Sequence, residues 1–168
     1  MKPKRIYRWR TSVENNRPEI DATASAVEDW EKPYNVIVPY KNALEWDFYS
    51  LGGKLGLLSE RGLEVLQPYM KKHFSFLKQH LNGIPYYEPV LESTIDCFDR
   101  ENAKYKTYPH DPGKIMRILK FSFFLDRIEA PLVFCIPETR KMLVTEQIPE
   151  IVEQAGLRGF EFQLEFPR

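Results

Sequence analysis

The chain has 168 residues, of which 43% are apolar and 29% charged, with 24 basic and 24 acidic side chains. That length and apolar content suit one folded domain and exclude a disordered chain. The balanced charge argues against a protein whose main partner is nucleic acid, and no run approaches the roughly 18 consecutive apolar residues of a membrane helix.

Residues 5–11 (RIYRWRT) alternate as a strand, with Ile6, Arg8 and Arg10 on one side and Tyr7 and Trp9 on the other. The opening MKPKRIYRWR lacks the apolar core of a secretion signal, so a cytoplasmic protein is expected. Lys2, Lys4, Arg5, Arg8 and Arg10 make this start basic; Glu14, Glu19, Asp21, Glu28, Asp29 and Glu31 then reverse the sign. The two segments are expected to lie near each other, or to flank a shared surface, so that their charges offset. A basic arm for nucleic acid is the alternative. Residues 14–32, polar and containing Pro18, read as a long loop.

NVIVPY (35–40) reads as a short strand stopped by Pro39, and NALEWDFYSLGG ends in the turn signal Gly52–Gly53. KLGLL is a strand, after which Ser59 caps a helix carrying Leu63, Leu66 and Met70. Pro68 is expected to end that helix near Gln67. HFSFLKQHL and the β-rich run IPYYEPVLESTIDCFD meet at an Asn82–Gly83 hairpin turn. Pro85 and Pro89 favour an edge or bent strand for the second. RENAKYKTYPHDPG reads as polar loop, KIMRILKFSFF as the central strand of a sheet, and PLVFCIPE as a strand closed by Pro137. At the end, KMLV is a strand, Thr145 a cap and PEIVEQA a short helix ended by Gly156. FEFQLEF alternates so that Phe160, Phe162, Leu164 and Phe166 share one core face.

LLSERGLEVL from Leu57 and LVTEQIPEIV from Leu143 match without gaps at an offset of 86 residues, and Phe74 and Phe76 recur as Phe160 and Phe162. Both stretches read as strand, cap, short helix, strand. They are either a duplication or two units that share a common grammar. The predicted fold is α+β: one domain over 1–168 with a mixed, largely antiparallel sheet and a few short helices. Residues 1–50 supply N-terminal strands and the long loop, and 51–168 the core.

No catalytic, cofactor or metal set emerges. Cys97 and Cys135 are too few for a disulfide scaffold. Asp96 and Cys97 are neighbours, so on a strand they face opposite sides, and no histidine is nominated as a base for the thiol. His73, His80 and His110 lack metal-ligand spacing, and GGKLG lacks the ending of a phosphate-binding loop. Glu146, Glu150 and Glu153 fall on one helix face, which reads as a solvated stripe or as a docking patch for a basic partner. Asp96 and Asp99, with Glu88, Glu92 and Glu101, form a second acidic candidate. Trp9, Trp30, Trp46, Tyr40, Tyr86 and Tyr87 are the aromatic residues to test first as binding anchors.

IDCFDRENAKY (95–105), VFCIPE (133–138) and above all LVTEQIPEIVEQAGLRGFEF (143–162) resemble the immunity proteins of bacterial polymorphic toxin systems. The nearest group is the eleventh numbered immunity family, first filed as a domain of unknown function. LLSERGLEVL matches its early LxSE-type segment, Asp96, Cys97 and Asp99 its aspartate–cysteine–x–aspartate turn, and Val144–Glu146 with Gly156–Phe162 its closing helix and GLxGFEF. The resemblance covers roughly residues 50–166. It implies a non-enzymatic cytosolic α+β protein that binds and blocks a cognate toxin. Beside it, the residues lead us to expect no cofactor, metal, membrane or nucleic-acid partner, and a 1:1 or 2:2 toxin complex, the latter through a homodimer. Two rivals stand beside it. One is a small enzyme using Cys97 with Asp96 or Asp99; the other is a nucleic-acid module using residues 2–10 with Lys104, Lys106, Lys114, Arg117 and Lys120.

Overall fold

A computed structural model of the chain describes residues 2–11, 19–20, 35–37, 46–49, 55–81 and 83–167. The fold is α+β, with few helices and, among the described residues, sheets that are antiparallel except for one parallel pair. A four-stranded sheet has the order β10 (Val133–Ile136), β11 (Thr139–Thr145), β1 (Ile6–Thr11), β12 (Phe160–Phe166). A six-stranded sheet has the order β2 (Glu19–Ile20), β3 (Asn35–Ile37), β6 (Phe74–Leu81), β7 (Ile84–Leu91), β5 (Leu57–Ser59), β4 (Phe48–Tyr49). Among the described residues β8 (Lys104–Tyr108) and β9 (Asp111–Lys120) pair only with each other.

The two echoing stretches form the same unit. β5, helix α1 (Glu60–Met70) and β6 surround β7, which is antiparallel to both strands. β11, helix α2 (Gln147–Gln154) and β12 surround β1 in the same way. In each unit the strands joined by the helix are therefore parallel and split by a third strand. That third strand follows the first unit directly, but for the second it arrives from the other end of the chain.

Their helix starts differ. Ser59 caps α1 through Oγ, which accepts from Gly62 N at 2.9 Å. Thr145 does not cap α2, which corrects the expectation: its buried Oγ1 accepts from Leu132 N and its own N–H donates to Leu132 O, both at 3.0 Å. The hydroxyl is thus spent on joining β11 to residue 132. Pro68 does not end α1 at Gln67 either; the helix continues to Met70, whose side chain is buried beside Leu66. So close to the end, Pro68 costs one intrahelical bond, and burial of Met70 outweighs that loss.

Two cores sandwich the four-stranded sheet. Trp9, Val133, Cys135, Met142 and Val144 pack with Phe48, Leu58 and Phe74 of the larger sheet and with Leu66, Ile148 and Val152 of the helices. On the opposite face, Ile6, Phe134, Ile136 and Leu143 pack with Cys97, Phe98, Phe121, Phe123 and Ile128. Burial on both faces explains why VFCI is apolar throughout rather than alternating.

A bulge breaks the expected single face of FEFQLEF. Ile6 pairs with Phe166 but Tyr7 with Leu164, so Glu165 is an extra residue between them. Phe160 and Phe162 accordingly join the first core and Phe166 the second. Pro85 and Pro89 lie on β7 outside Tyr86–Tyr87, the short span that β5 pairs. There β7 behaves as an edge, where a missing donor is tolerated.

The stretch 101–120 departs most from expectation. The predicted polar loop contains β8, and the predicted central strand is β9, which pairs with β8 in an exposed hairpin. KIMRILKFSFF joins two unlike pieces: Phe121 and Phe123 leave the hairpin for the core, whereas Met116 and Leu119 are each 48% exposed. The offsetting of basic start by acidic 14–31, most of the long loop and the Gly52–Gly53 turn fall outside the described residues.

Candidate functional site

The acidic candidates separate in space and in role. Glu150 and Glu153 are exposed on α2, with Glu146 half-buried at its N-cap position and making no capping bond. Among the described residues none of the three forms an ion pair. Asp96 is exposed, 3.8 Å from Arg127 Nη1. Asp99 is buried and serves the loop itself: its carboxylate accepts from Asn102 N, Asn102 Nδ2 and Ser122 Oγ at 3.2, 2.7 and 3.1 Å. These bonds, led by that from the Asn102 side chain, hold its carboxyl below the usual range.

Of the aromatic candidates, Trp9 and Tyr86 are core residues and closed to a partner. The Trp9 ring sits 4.7 Å from that of Phe48 and 5.0 Å from that of Phe160. Trp46 is half-buried, and its carbonyl accepts from Tyr86 Oη at 3.0 Å. Trp30 and Tyr40 lie outside the described residues.

Both thiols are fully buried, one in each core. Burial, joined by the charges of Glu138 and Asp96, pushes Cys97 up to about 12, and burial alone pushes Cys135 up to about 12. A nucleophilic cysteine needs thiolate character and access, and Cys97 has neither. Among the described residues no three His, Cys, Asp or Glu side chains are grouped to hold a metal ion.

The feature that sequence reasoning did not assemble is a cleft of about 550 Å³ between β9 and the four-stranded sheet. On β1, strand alternation turns Ile6, Arg8 and Arg10 to the face of the second core. Ile6 is buried there, while Arg8 and Arg10 continue beyond the apolar floor into the cleft. Arg8 is held from β12: its Nη2 donates to Gln163 Oε1 at 2.6 Å and lies 2.7 Å from Glu165 Oε1. Glu165 is the bulge residue, so the irregularity that splits the phenylalanines also aims this carboxylate at Arg8.

β11 contributes Lys141 and β9 contributes Arg117. The second carboxylate of the cleft, Glu138, is taken by Arg100 at 3.1 Å. Arg10, Arg117 and Lys141 have no ion-pair partner among the described residues, although Glu161 sits opposite Arg10 in the strand register. Desolvation by the neighbouring strands and the charges of Arg8, Arg10 and Arg117 push the ammonium of the exposed Lys141 below the ordinary lysine range, with Glu165 opposing. Ile115, Ile118 and Phe121 give the cleft its apolar lining, and the exposed Met116 and Leu119 also border it. The alternation of Lys, Arg and apolar residues in KIMRILK was the signal for such a surface.

No helix among the described residues is long and apolar enough to cross a membrane. In comparison with known proteins, the chain matches no family model and no curated protein.

Proposed function

We propose that this is a non-catalytic immunity protein of the cytoplasm, which binds a cognate bacterial toxin domain and blocks it. The observation that carries the reading is the β8–β9 hairpin. It belongs to neither large sheet and exposes Met116 and Leu119 beside a cleft with three cations that have no ion-pair partner among the described residues. Exposed apolar side chains ringed by charge are the usual composition of a protein-binding surface. The resemblance of residues 50–166 to immunity proteins points to the same role, and the two inaccessible thiols remove the chemistry that a cysteine enzyme needs.

Co-expression with the toxin encoded beside this gene tests the reading. The parent protein rescues growth and co-purifies with the toxin at 1:1 or 2:2. Met116→Asp and Leu119→Asp abolish both effects while leaving Tm unchanged, because neither side chain belongs to a core cluster. Failure of the parent protein to rescue refutes the reading. Convergence of Arg8 and Arg10 with Arg117 favours a second reading, a nucleic-acid module, which predicts affinity for oligonucleotides that falls steeply with salt.

A further inference from the structure

Among the described residues the charge pattern of the cleft is incomplete. Its two carboxylates are both engaged, Glu165 by Arg8 and Glu138 by Arg100, whereas Arg10, Arg117 and Lys141 converge from three different strands with no carboxylate paired to them among the described residues. Bringing like charges together costs free energy, and an arriving anion recovers it. Arginines are also suited to gripping carboxylates through two parallel bonds.

We propose that the cleft receives an acidic, extended segment of the toxin, whose carboxylates pair with Arg10, Arg117 and Lys141. The proposal rests on the inhibitor reading above and names the chemistry of its partner. About 550 Å³ lies within the range of sites that enclose a small ligand, about 300–1,000 Å³, and accommodates a short stretch of chain. An extended segment alternates its side chains, so one set meets the cations while the other lies against Ile115, Ile118 and Phe121. Glu138 and Glu165 stand in the same wall, and Glu161 faces Arg10 in register. Those carboxylates repel a continuous phosphate backbone more than they repel a segment with isolated carboxylates, and the exposed Met116 and Leu119 offer contacts to a protein.

The test titrates the full chain with a fluorescent hexapeptide alternating Glu and Leu and, separately, with hexathymidylate, following anisotropy. The alternating peptide is expected to bind more tightly than hexathymidylate, and raising salt from about 50 to about 200 mM weakens it several-fold. The double variant R10Q/K141Q, altered at two exposed positions, loses at least about tenfold in affinity for the alternating peptide, equivalent to about 1.4 kcal/mol. Lys72→Gln, an exposed lysine outside the cleft, leaves the affinity unchanged. Equal affinity in parent and R10Q/K141Q, or tighter binding of hexathymidylate, overturns the proposal. Co-expression separates the two levels of the argument. Rescue that survives R10Q/K141Q yet is lost in Leu119→Asp defeats the acidic segment and leaves the inhibitor standing, whereas absence of rescue by the parent protein defeats the inhibitor itself.

Discussion

Alkylation of the native protein by iodoacetamide at about pH 8 puts the absence of a nucleophilic thiol to a quantitative test. With a thiol at about 12, about 1 in 10,000 molecules carries a thiolate at that pH; at the ordinary 9.0 the fraction is about 1 in 10. Ionisation alone therefore slows Cys97 and Cys135 about a thousandfold. Both side chains are also 0% exposed, so reagent reaches them only when the surrounding core opens. Cys97 sits in the cluster of Phe98, Phe121 and Phe123, which has to part first. Mass spectrometry against time, in buffer and in guanidinium chloride, reads the two rates directly. The expected result is slow modification of the folded protein at both positions and full modification on unfolding. If Cys97 in the folded protein reacted as fast as in denaturant, the burial argument would be wrong and a cysteine enzyme would return as the leading function.

Three further outcomes follow from the packing. Asp47 is buried and joins the start of α1 to the turn before β12: its carboxylate accepts from Ser59 Oγ at 2.7 Å and from Arg158 N at 2.9 Å. Asp47→Ala removes both acceptors and costs about 3 kcal/mol, which for a chain of 168 residues lowers Tm by about 6–12 °C in calorimetry; an unchanged Tm refutes the role. Gly159 has φ +94°, and a Cβ there would lie 2.4 Å from the Phe48 carbonyl oxygen, so Gly159→Ala loses more than about 2 kcal/mol in denaturant titrations. Stability also falls with alkaline pH. Below pH 9 each buried thiol is protonated in both states; above it the unfolded chain releases the proton that the folded chain keeps until about 12. Unfolding is therefore favoured by about 1.4 kcal/mol per pH unit per thiol in that window. Tyr49 and Tyr86, raised chiefly by burial, add to the loss above about pH 10, and urea titrations at stepped pH follow the slope.

Local chemistry was legible in the amino-acid sequence. Ser59 before an amphipathic run announces a capped helix, Gly83 closes a hairpin with φ +80°, and the echo of Leu57–Leu66 in Leu143–Val152 identifies two units that share a strand–helix–strand order. These features depend on neighbours within a turn or two, so a short window carries them. Tertiary structure alone decided what those units enclose. β1 lies between β11 and β12, so Arg8 meets Gln163 across 155 positions, and no window of sequence states that pairing. The bulge at Glu165 and the hydroxyl of Thr145 turned to Leu132 follow from the same long-range pairings, and so does the placing of β9 across the cleft from β1, β11 and β12. Periodicity tells which side of a strand is apolar, but not what lies against it. The basic and apolar alternation of KIMRILK reads equally as an inner strand or as one wall of a cleft, and only the packing of Phe121 and Phe123 beneath it settles which.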